Sequence, residues 1–217
     1  MKYNLDLLKN FNGIIKPSTI NMAKLVNMIE AEVSQYRYFY HMDSKKCSEI
    51  IIEVTNANIP HLLGLSKLHH HGLPTYNPSV IFEGLKSDWS LENLIKADKF
   101  WFAENQDKII GLLLLYQIFH IQQCKFYTTN YIVNKYSGSK YKRDNIYFVM
   151  FKAINDKSYT LELSPKENTK KVFFPRSLKI NDKFVKACTE IDIRYLRRER
   201  IRTKTSKIKP IKWKISH

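Results

Sequence analysis

Four of the seven histidines lie in one short stretch of the chain, between His61 and His71. It contains His61, Lys67 and three consecutive histidines at positions 69–71. Because histidine titrates near neutral pH, this group can exchange protons with a substrate or bind phosphate. The same residues also suit a structural histidine that fixes a turn and is followed by a polar loop. Residue types alone leave both interpretations open.

A strand and a turn are predicted to position this stretch. Residues 50–55 are rich in β-branched side chains, which favour a strand over a helix. Asn56, Asn58 and Pro60 then form a turn cluster, in which Pro60 pushes Ile59 toward an extended conformation. His61 is therefore predicted to follow a rigid strand, a place where many active sites lie.

Two short motifs resemble those of a known family. Residues 58–65 read Asn-Ile-Pro-His-Leu-Leu-Gly-Leu, and residues 174–177 read Phe-Pro-Arg-Ser. Together they resemble the paired signatures of a nuclease-like family of phages and prophages. This family is the fourth phage family in the group that also contains the barnase, EndoU, colicin E5/D and RelE ribonucleases. Ile59 replaces the aromatic residue that is usual in the first signature. The resemblance covers about residues 18–180.

The resemblance implies metal-independent cleavage of RNA, by attack of a ribose 2′-hydroxyl on the neighbouring phosphate to leave a cyclic phosphate. His61 is then the first candidate for the acid or base. Arg176 would hold the phosphate, because its guanidinium fork matches phosphate oxygens, and Ser177 would donate a hydrogen bond to it. Lys67 and Tyr159 are secondary candidates. No cofactor is expected. The resemblance also suits a toxin that cleaves RNA and has an antitoxin partner.

The net charge of +16, from 36 basic and 20 acidic residues, favours a polyanionic partner, nucleic acid first and an anionic membrane second. The resemblance implies RNA, with DNA less expected. Residues 194–217 hold ten basic residues and one acid. Basic side chains can neutralise phosphates and a tryptophan can stack on a base. We therefore predict that this tail contacts nucleic acid, although it also suits an exposed tail that keeps the protein soluble. The predicted contact residues are Arg194, Arg197, Arg198, Arg200, Arg202, Lys204 and Trp213.

Composition excludes other classes. A hydrophobic content of 44% with 13% aromatic residues is typical of a folded chain. The sequence has no signal-peptide pattern and no apolar run long enough to span a membrane. It therefore predicts a cytoplasmic protein with no membrane partner. Cys47, Cys124 and Cys188 are odd in number and widely spaced, which predicts reduced thiols. His69 and His71 lack a cysteine or carboxylate at a supporting spacing, so no metal site is predicted.

Hydrophobic periodicity predicts the α+β class. Helical spacing predicts an amphipathic helix over residues 18–40, short helices from Pro78 and after Ser90, and an apolar helix over 106–121. Alternation predicts a meander of strands at 125–133, 145–154, 158–163 and 170–174, with a weaker strand at 189–195. We expect N-terminal helices packed on this mostly antiparallel sheet, in one domain over residues 1–193 followed by the basic tail 194–217. The resemblance implies a barnase/RelE-like type.

Two alternatives to a nuclease remain open. One is a non-catalytic nucleic-acid-binding module of a phage or its host, which would lose affinity mainly when the tail is removed. The other is an accessory protein that inhibits or binds another phage or host protein, an interpretation favoured by the many aromatic residues. The second alternative predicts a stable protein complex without salt-sensitive RNA binding.

Overall fold

The structure is a computed structural model that describes residues 1–42, 48–65, 72–73, 77–129, 147–167, 169 and 171–201. The chain divides into two compact units. The first, here called the helical unit, contains the described residues of 1–35 and 55–116 together with Ile201. The second, the sheet unit, contains the described residues of 36–54 and 117–200. The single domain expected over residues 1–193 stays a prediction.

The described part of the chain contains six α-helices, and four of them begin at a side-chain cap. Asn4, Asn21, Asn77 and Ser90 each accept a hydrogen bond from a backbone N–H two or three residues further on. The helices predicted after Pro78 and Ser90 and the apolar helix are confirmed. None of the described helices is both long and apolar enough to cross a membrane. The helices are α1 Leu5–Asn10, α2 Met22–Glu32, α3 Asn58–Leu62, α4 Pro78–Lys86, α5 Leu91–Ala97 and α6 Lys99–Phe119.

The predicted helix over residues 18–40 is wrong in its second half. Helix α2 ends at Glu32, and Gln35 then adopts a positive φ of 64°, a left-handed conformation typical of a chain that leaves a helix. The aromatic segment that follows, Tyr36–Met42, is strand β1. Tyr38 and Tyr40 point to the same buried face of that strand. Their spacing of two therefore reflects strand alternation.

Within the described part of the chain, eight strands form one sheet, and all of them belong to the sheet unit. In the order β7-β3-β4-β5-β6-β2-β1-β8, every neighbouring pair is antiparallel except β2 and β6. That parallel pair has two register partners, Ile51 with Val172 and Ile52 with Phe173. The α+β class and the meander from β3 to β6 are thus confirmed. The strands are β1 Tyr36–Met42, β2 Glu49–Val54, β3 Cys124–Thr128, β4 Tyr147–Lys152, β5 Ser158–Pro165, β6 Val172–Ile180, β7 Thr189–Ile191 and β8 Ile193–Arg200.

The strand predicted at 170–174 does not end at the second family-like motif. Phe174 to Ser177 lie in the middle of β6, which continues to Ile180. The register between β5 and β6 shifts beside this motif, between Glu162 and Leu163. A bulge suits Pro175, because proline lacks a backbone N–H and is found in sheets mainly at edges and bulges. The bulge leaves Arg176 exposed.

The start of the predicted basic tail is also a strand. Residues 194–200 belong to β8, whose neighbour in the sheet is β1. The rest of that predicted tail, residues 202–217, lies outside the described part of the chain. Backbone pairing with β1 therefore fixes four of the predicted contact arginines in position, namely Arg194, Arg197, Arg198 and Arg200.

The two faces of the sheet differ in polarity. Side chains alternate between the faces of a strand, so one face carries buried residues such as Tyr38, Ile52 and Leu161. We call this the apolar face. The other, the polar face, carries Arg37, Glu53, Glu162, Ser177 and Lys179, as the register pairs show. Around β4 and β5 the polar face is covered as well, because Phe148, Thr160 and Glu162 are buried.

Candidate nucleic-acid interface

Strand β8 lies at one end of the sheet order and carries four arginines in eight residues. Its pairing with β1 shifts register between Phe39 and Tyr40. Because of alternation and this shift, Arg194 and Arg197 share the polar face with Phe39, whereas Arg198 and Arg200 lie on the opposite side. The edge therefore presents guanidinium groups on both sides of the sheet.

Aromatic rings of β1 support three of these arginines. The guanidinium carbon of Arg197 lies 4.1 Å from the centre of the Phe39 ring, and that of Arg198 lies 4.4 Å from the Tyr36 ring. The Arg200 guanidinium carbon is 5.8 Å from the same Tyr36 ring. A guanidinium stacked on a ring keeps its N–H groups at its rim, where they can donate to phosphate oxygens. We call these three arginines with the two rings the arginine strip.

Beside the β6 bulge, strands β5 and β6 bring a carboxylate and a hydroxyl together. Glu162 and Ser177 are direct register partners on the polar face, and the exposed Arg176 precedes Ser177 in the bulge. Lys179 Nζ lies 2.9 Å from Glu162 Oε2 and 3.2 Å from Asp182 Oδ2. The group contains a base, a hydrogen-bond donor and cations, which are the parts that phosphoryl chemistry needs.

Two residues of this group, Glu162 and Lys179, were not predicted from the sequence. The available signal was a lone carboxylate between Leu161 and Leu163, in a strand whose other residues are mostly apolar. Such a residue must have a partner when it is buried, and Glu162 is only 3% exposed. The partner, Lys179, lies 17 positions further along the chain and is revealed only by the strand register.

The structure does not bring Tyr159 into this group. Tyr159 pairs with Ile180 and lies an odd number of residues from Glu162, so it belongs to the apolar face. It is fully buried there. Its hydroxyl lies on the side of the sheet opposite Ser177 and cannot reach a phosphate bound on the polar face.

His61 belongs to the helical unit, where it lies in the short helix α3 and is exposed. The extended conformation expected at Ile59 is wrong, because Ile59 and Pro60 are both helical. Proline is tolerated there because the first turn of a helix has no internal acceptor for its N–H groups. Partial burial lowers the pKa of His61 below its ordinary value. The lowered pKa favours the neutral imidazole, the form that accepts a proton.

The rest of the first motif fixes α3 against α6 within the helical unit. Trp101 Nε1 donates to the carbonyl of Leu63 at 3.0 Å, and Asn105 Nδ2 donates to the carbonyl of Trp101 at 2.9 Å. Gly64 has a positive φ of 73°, and a Cβ there would lie 2.8 Å from Asn105 Oδ1. These neighbours of His61 have structural roles in packing the unit.

Replacing Gly64 by alanine is expected to destabilise the protein by about 2 kcal/mol. A left-handed conformation costs an L-residue roughly 1–2 kcal/mol, and the new methyl group must displace the Asn105 side chain. Chemical denaturation would measure the change, with Gly64→Ala/Asn105→Ala as the matched variant that removes the contact. Replacing a glycine of ordinary conformation by alanine leaves stability unchanged or raises it. The same result for Gly64→Ala would contradict this account.

On the polar face, Glu53 is held by two cations. Its carboxylate oxygens lie 3.0 Å from Arg37 Nε and 2.7 Å from Lys166 Nζ. Burial alone would raise the pKa of Glu53, but the hydrogen bonds and charges of Lys166 and Arg37 lower it overall. A carboxyl group with a lowered folded-state pKa stabilises the fold above its unfolded pKa, near 4.3, and this contribution is lost as the pH falls through the folded-state pKa.

The Glu53→Gln variant is therefore expected to be about 1 kcal/mol less stable at pH 7, since both cations are half exposed and screened by water. Its stability should also fall less than that of the wild type between about pH 5 and pH 3. Urea denaturation across this range measures both effects. Glu167→Gln, at an exposed position next to Lys166 in sequence, is the control. Parallel pH profiles for wild type and Glu53→Gln would refute the assignment.

Several predicted residues lie outside the described part of the chain: Lys67, His69, His70, His71, Arg202, Lys204, Trp213 and Cys47. Their proposed roles stay predictions. Cys124 and Cys188 are free, and burial raises their pKa to about 12 and about 11. Neither is therefore a reactive thiolate at neutral pH. Among the described residues, no cluster of three or more His, Cys, Asp and Glu side chains could hold a metal ion.

Comparison with known proteins identifies no relative, because no protein family, no curated protein and no solved structure matches the chain.

Proposed function

We propose that the protein binds single-stranded RNA through the arginine strip on β8. The observation that carries this proposal is the seating of three guanidinium groups on aromatic rings at an exposed strand edge. Rings that already hold the arginines reduce the conformational entropy that binding would otherwise cost. Arg198 and Arg200 are two residues apart on one side of the strand, about 7 Å, a spacing to which a flexible single strand can adjust.

The charge of the whole chain supports this proposal. The segment after β8 continues the run of basic residues and would extend the contact along the RNA, with Trp213 stacking on a base. RNA is placed ahead of DNA because of the resemblance of the two motifs to phage ribonuclease signatures. The proposal includes a sheet of the barnase/RelE-like type and a role inside the cytoplasm.

The test is a salt titration of binding. Fluorescence anisotropy would follow a labelled single-stranded RNA from about 50 mM to about 400 mM salt, beside DNA of the same sequence and a duplex. Each phosphate contact should contribute roughly −0.7 to the slope of log K against log salt, so the four arginines of β8 give a slope of about −3 or steeper. Absence of binding at low salt, or binding that salt leaves unchanged, would overturn the proposal.

A second candidate function, cleavage of the bound RNA, is favoured by the group beside the β6 bulge. This step requires Glu162, which is 3% exposed and paired with Lys179 at 2.9 Å, to become accessible to RNA. Glu162 would then take the proton of a ribose 2′-hydroxyl as that oxygen attacks the adjacent phosphorus. The bond from phosphorus to the 5′-oxygen then breaks, and a general acid protonates the leaving oxygen. Arg176 and Ser177 would hold the phosphate oxygens. The resemblance separately proposes His61, in the helical unit, as an acid or base.

Cleavage is tested with RNA in excess chelator, followed by analysis of the RNA ends. The wild type should leave cyclic phosphates, and Glu162→Gln and Arg176→Ala should each lower the rate about a hundredfold. Tyr159→Phe should leave the rate unchanged, because that residue is buried on the apolar face. RNA that is bound but never cut would remove this second function and leave the first in place. A toxin, in addition, should arrest growth when expressed.

A further inference from the structure

A cavity of about 490 Å³ opens on the polar face of the sheet unit, where the β4–β5 hairpin meets the end of β6. This volume lies within the range of roughly 300–1,000 Å³ that is typical of sites for small ligands. Its apolar part is formed by Tyr127, Met150 and Val185, of which Tyr127 and Val185 also belong to a buried cluster with Phe148. A flat apolar group would find a surface of matching character there.

Two lysines lie side by side at the rim of the cavity. Lys183 caps the 3₁₀ helix Phe184–Ala187, and Lys186 follows three residues later. A 3₁₀ helix has three residues per turn, so positions i and i+3 lie on the same side. Neither lysine has an acidic partner within the part of the chain that the structure describes, and both are exposed. Two adjacent ammonium groups repel each other, and an anion with two negative charges would relieve that repulsion.

The two carboxylates that line the cavity are already engaged. Asp156 Oδ1 lies 3.1 Å from Lys152 Nζ. Asp182 accepts a hydrogen bond from the backbone N–H of Phe184 at 3.0 Å through Oδ1, and its Oδ2 is 3.2 Å from Lys179 Nζ. The acids therefore neutralise other cations, and the free positive charge of the cavity comes from Lys183 and Lys186.

A polar side chain that can donate to a base also lines the cavity. Asn181 Oδ1 accepts from the backbone N–H of Ser158 at 2.9 Å and lies 3.5 Å from its hydroxyl. This leaves the amide hydrogens of Asn181, at the cavity wall, as donors for a ligand. The cavity thus combines an apolar surface, hydrogen-bond donors and an anion site.

From this combination we propose that the cavity binds a mononucleotide. The base lies against Met150 and Tyr127, and the phosphate lies between Lys183 and Lys186. This inference goes beyond the proposed RNA binding, because it requires neither β8 nor a polymer. It can therefore be tested independently of RNA binding.

Isothermal titration of the full-length protein with the four ribonucleoside monophosphates, with adenosine and with inorganic phosphate tests the proposal. At least one monophosphate should bind about tenfold more tightly than either adenosine or phosphate alone, since it engages both halves of the cavity. In the Lys183→Ala/Lys186→Ala variant this affinity should fall about tenfold or more, while adenosine binding stays unchanged. Met150→Ala should weaken nucleotide binding and leave phosphate binding intact.

The control is Lys125→Ala/Lys171→Ala, which removes the same charge at positions that do not line the cavity. Circular dichroism would verify that each variant is folded. Three results would overturn the proposal: no monophosphate binds at millimolar concentration, phosphate binds as tightly as every nucleotide, or the variant that lacks Lys183 and Lys186 retains full affinity. If the protein binds RNA but no mononucleotide, this inference is refuted and the proposed RNA binding is unaffected.

Discussion

Removal of the three stacked arginines, as Arg197→Ala/Arg198→Ala/Arg200→Ala, is expected to weaken RNA binding about a thousandfold at low salt. A hydrogen bond to a charged group contributes about 1.5 kcal/mol or more, which is about tenfold in affinity for each arginine. The slope of log K against log salt should also become shallower by about 2, since three phosphate contacts are lost. Fluorescence anisotropy across a range of salt concentrations measures both changes.

The control is Lys125→Ala/Lys157→Ala/Lys171→Ala, which removes the same net charge from positions outside β8. If RNA responds only to total charge, the two triple variants will bind equally, and the arginine strip will have no special part. A third variant with lysine at all three β8 positions keeps the charge but loses the planar fork and most of the stacking. We expect its affinity to lie between those of the wild type and the alanine variant.

The Gly84→Ala substitution is expected to cost at least about 3 kcal/mol, although glycine to alanine within a helix ordinarily gains about 0.5–1 kcal/mol. Gly84 lies in α4 against the indole of Trp89, which is 1% exposed. An alanine Cβ would lie 2.4 Å from two carbons of that ring. The ring has little room to move, because the backbone N–H of Trp89 also donates to the carbonyl of Gly84 at 3.0 Å.

Thermal unfolding should show the Gly84→Ala effect as a decrease in Tm of roughly 10 °C. A double-mutant cycle with Trp89→Leu separates a steric cause from a general loss of packing. The smaller side chain makes room for the new methyl group, so the double variant should be more stable than the sum of the two single changes predicts, by about 1–3 kcal/mol. Additive effects, or a Gly84→Ala protein as stable as the wild type, would contradict the close contact.

The elements whose formation is local were predictable. Ser90 and Asn77 cap helices that begin one residue later, as their side chains favour. The short link between β4 and β5 and the alternation in these strands were enough to predict the meander. In each case the physical cause lies within a few residues of the element that it determines.

The elements that depend on distant partners were not predictable. Nothing in the sequence marks Gln35 as left-handed, so the apolar spacing of α2 continues without interruption into β1. The arginine-rich β8 has the composition of a solvated tail, and only its pairing with Tyr36–Met42 makes it a strand. Charged side chains suit such an edge, because they discourage pairing with other chains.

In the candidate site too, the residues of local motifs were predictable and their distant partners were not. Arg176 and Ser177 were identified from their motif, but their partner Glu162 follows from the β5–β6 register. Most of the motif around His61 packs α3 against α6, which explains its Gly64 and its leucines without any reaction. Tyr159 was chosen by position, and strand alternation places it on the apolar face.

The parallel junction between β2 and β6 determines the order in which the sheet can form. Its register partners are roughly 120 residues apart in the chain, and β8 pairs with β1 across a still longer separation. Closing loops of that length costs entropy before any contact compensates for it, whereas the hairpin of β4 and β5 closes over a few residues. We therefore expect folding to start in the meander and β1 and β2 to dock late. Amide hydrogens at the β2–β6 junction should exchange with solvent earlier than those of β5, since the last contacts to form are the first to open.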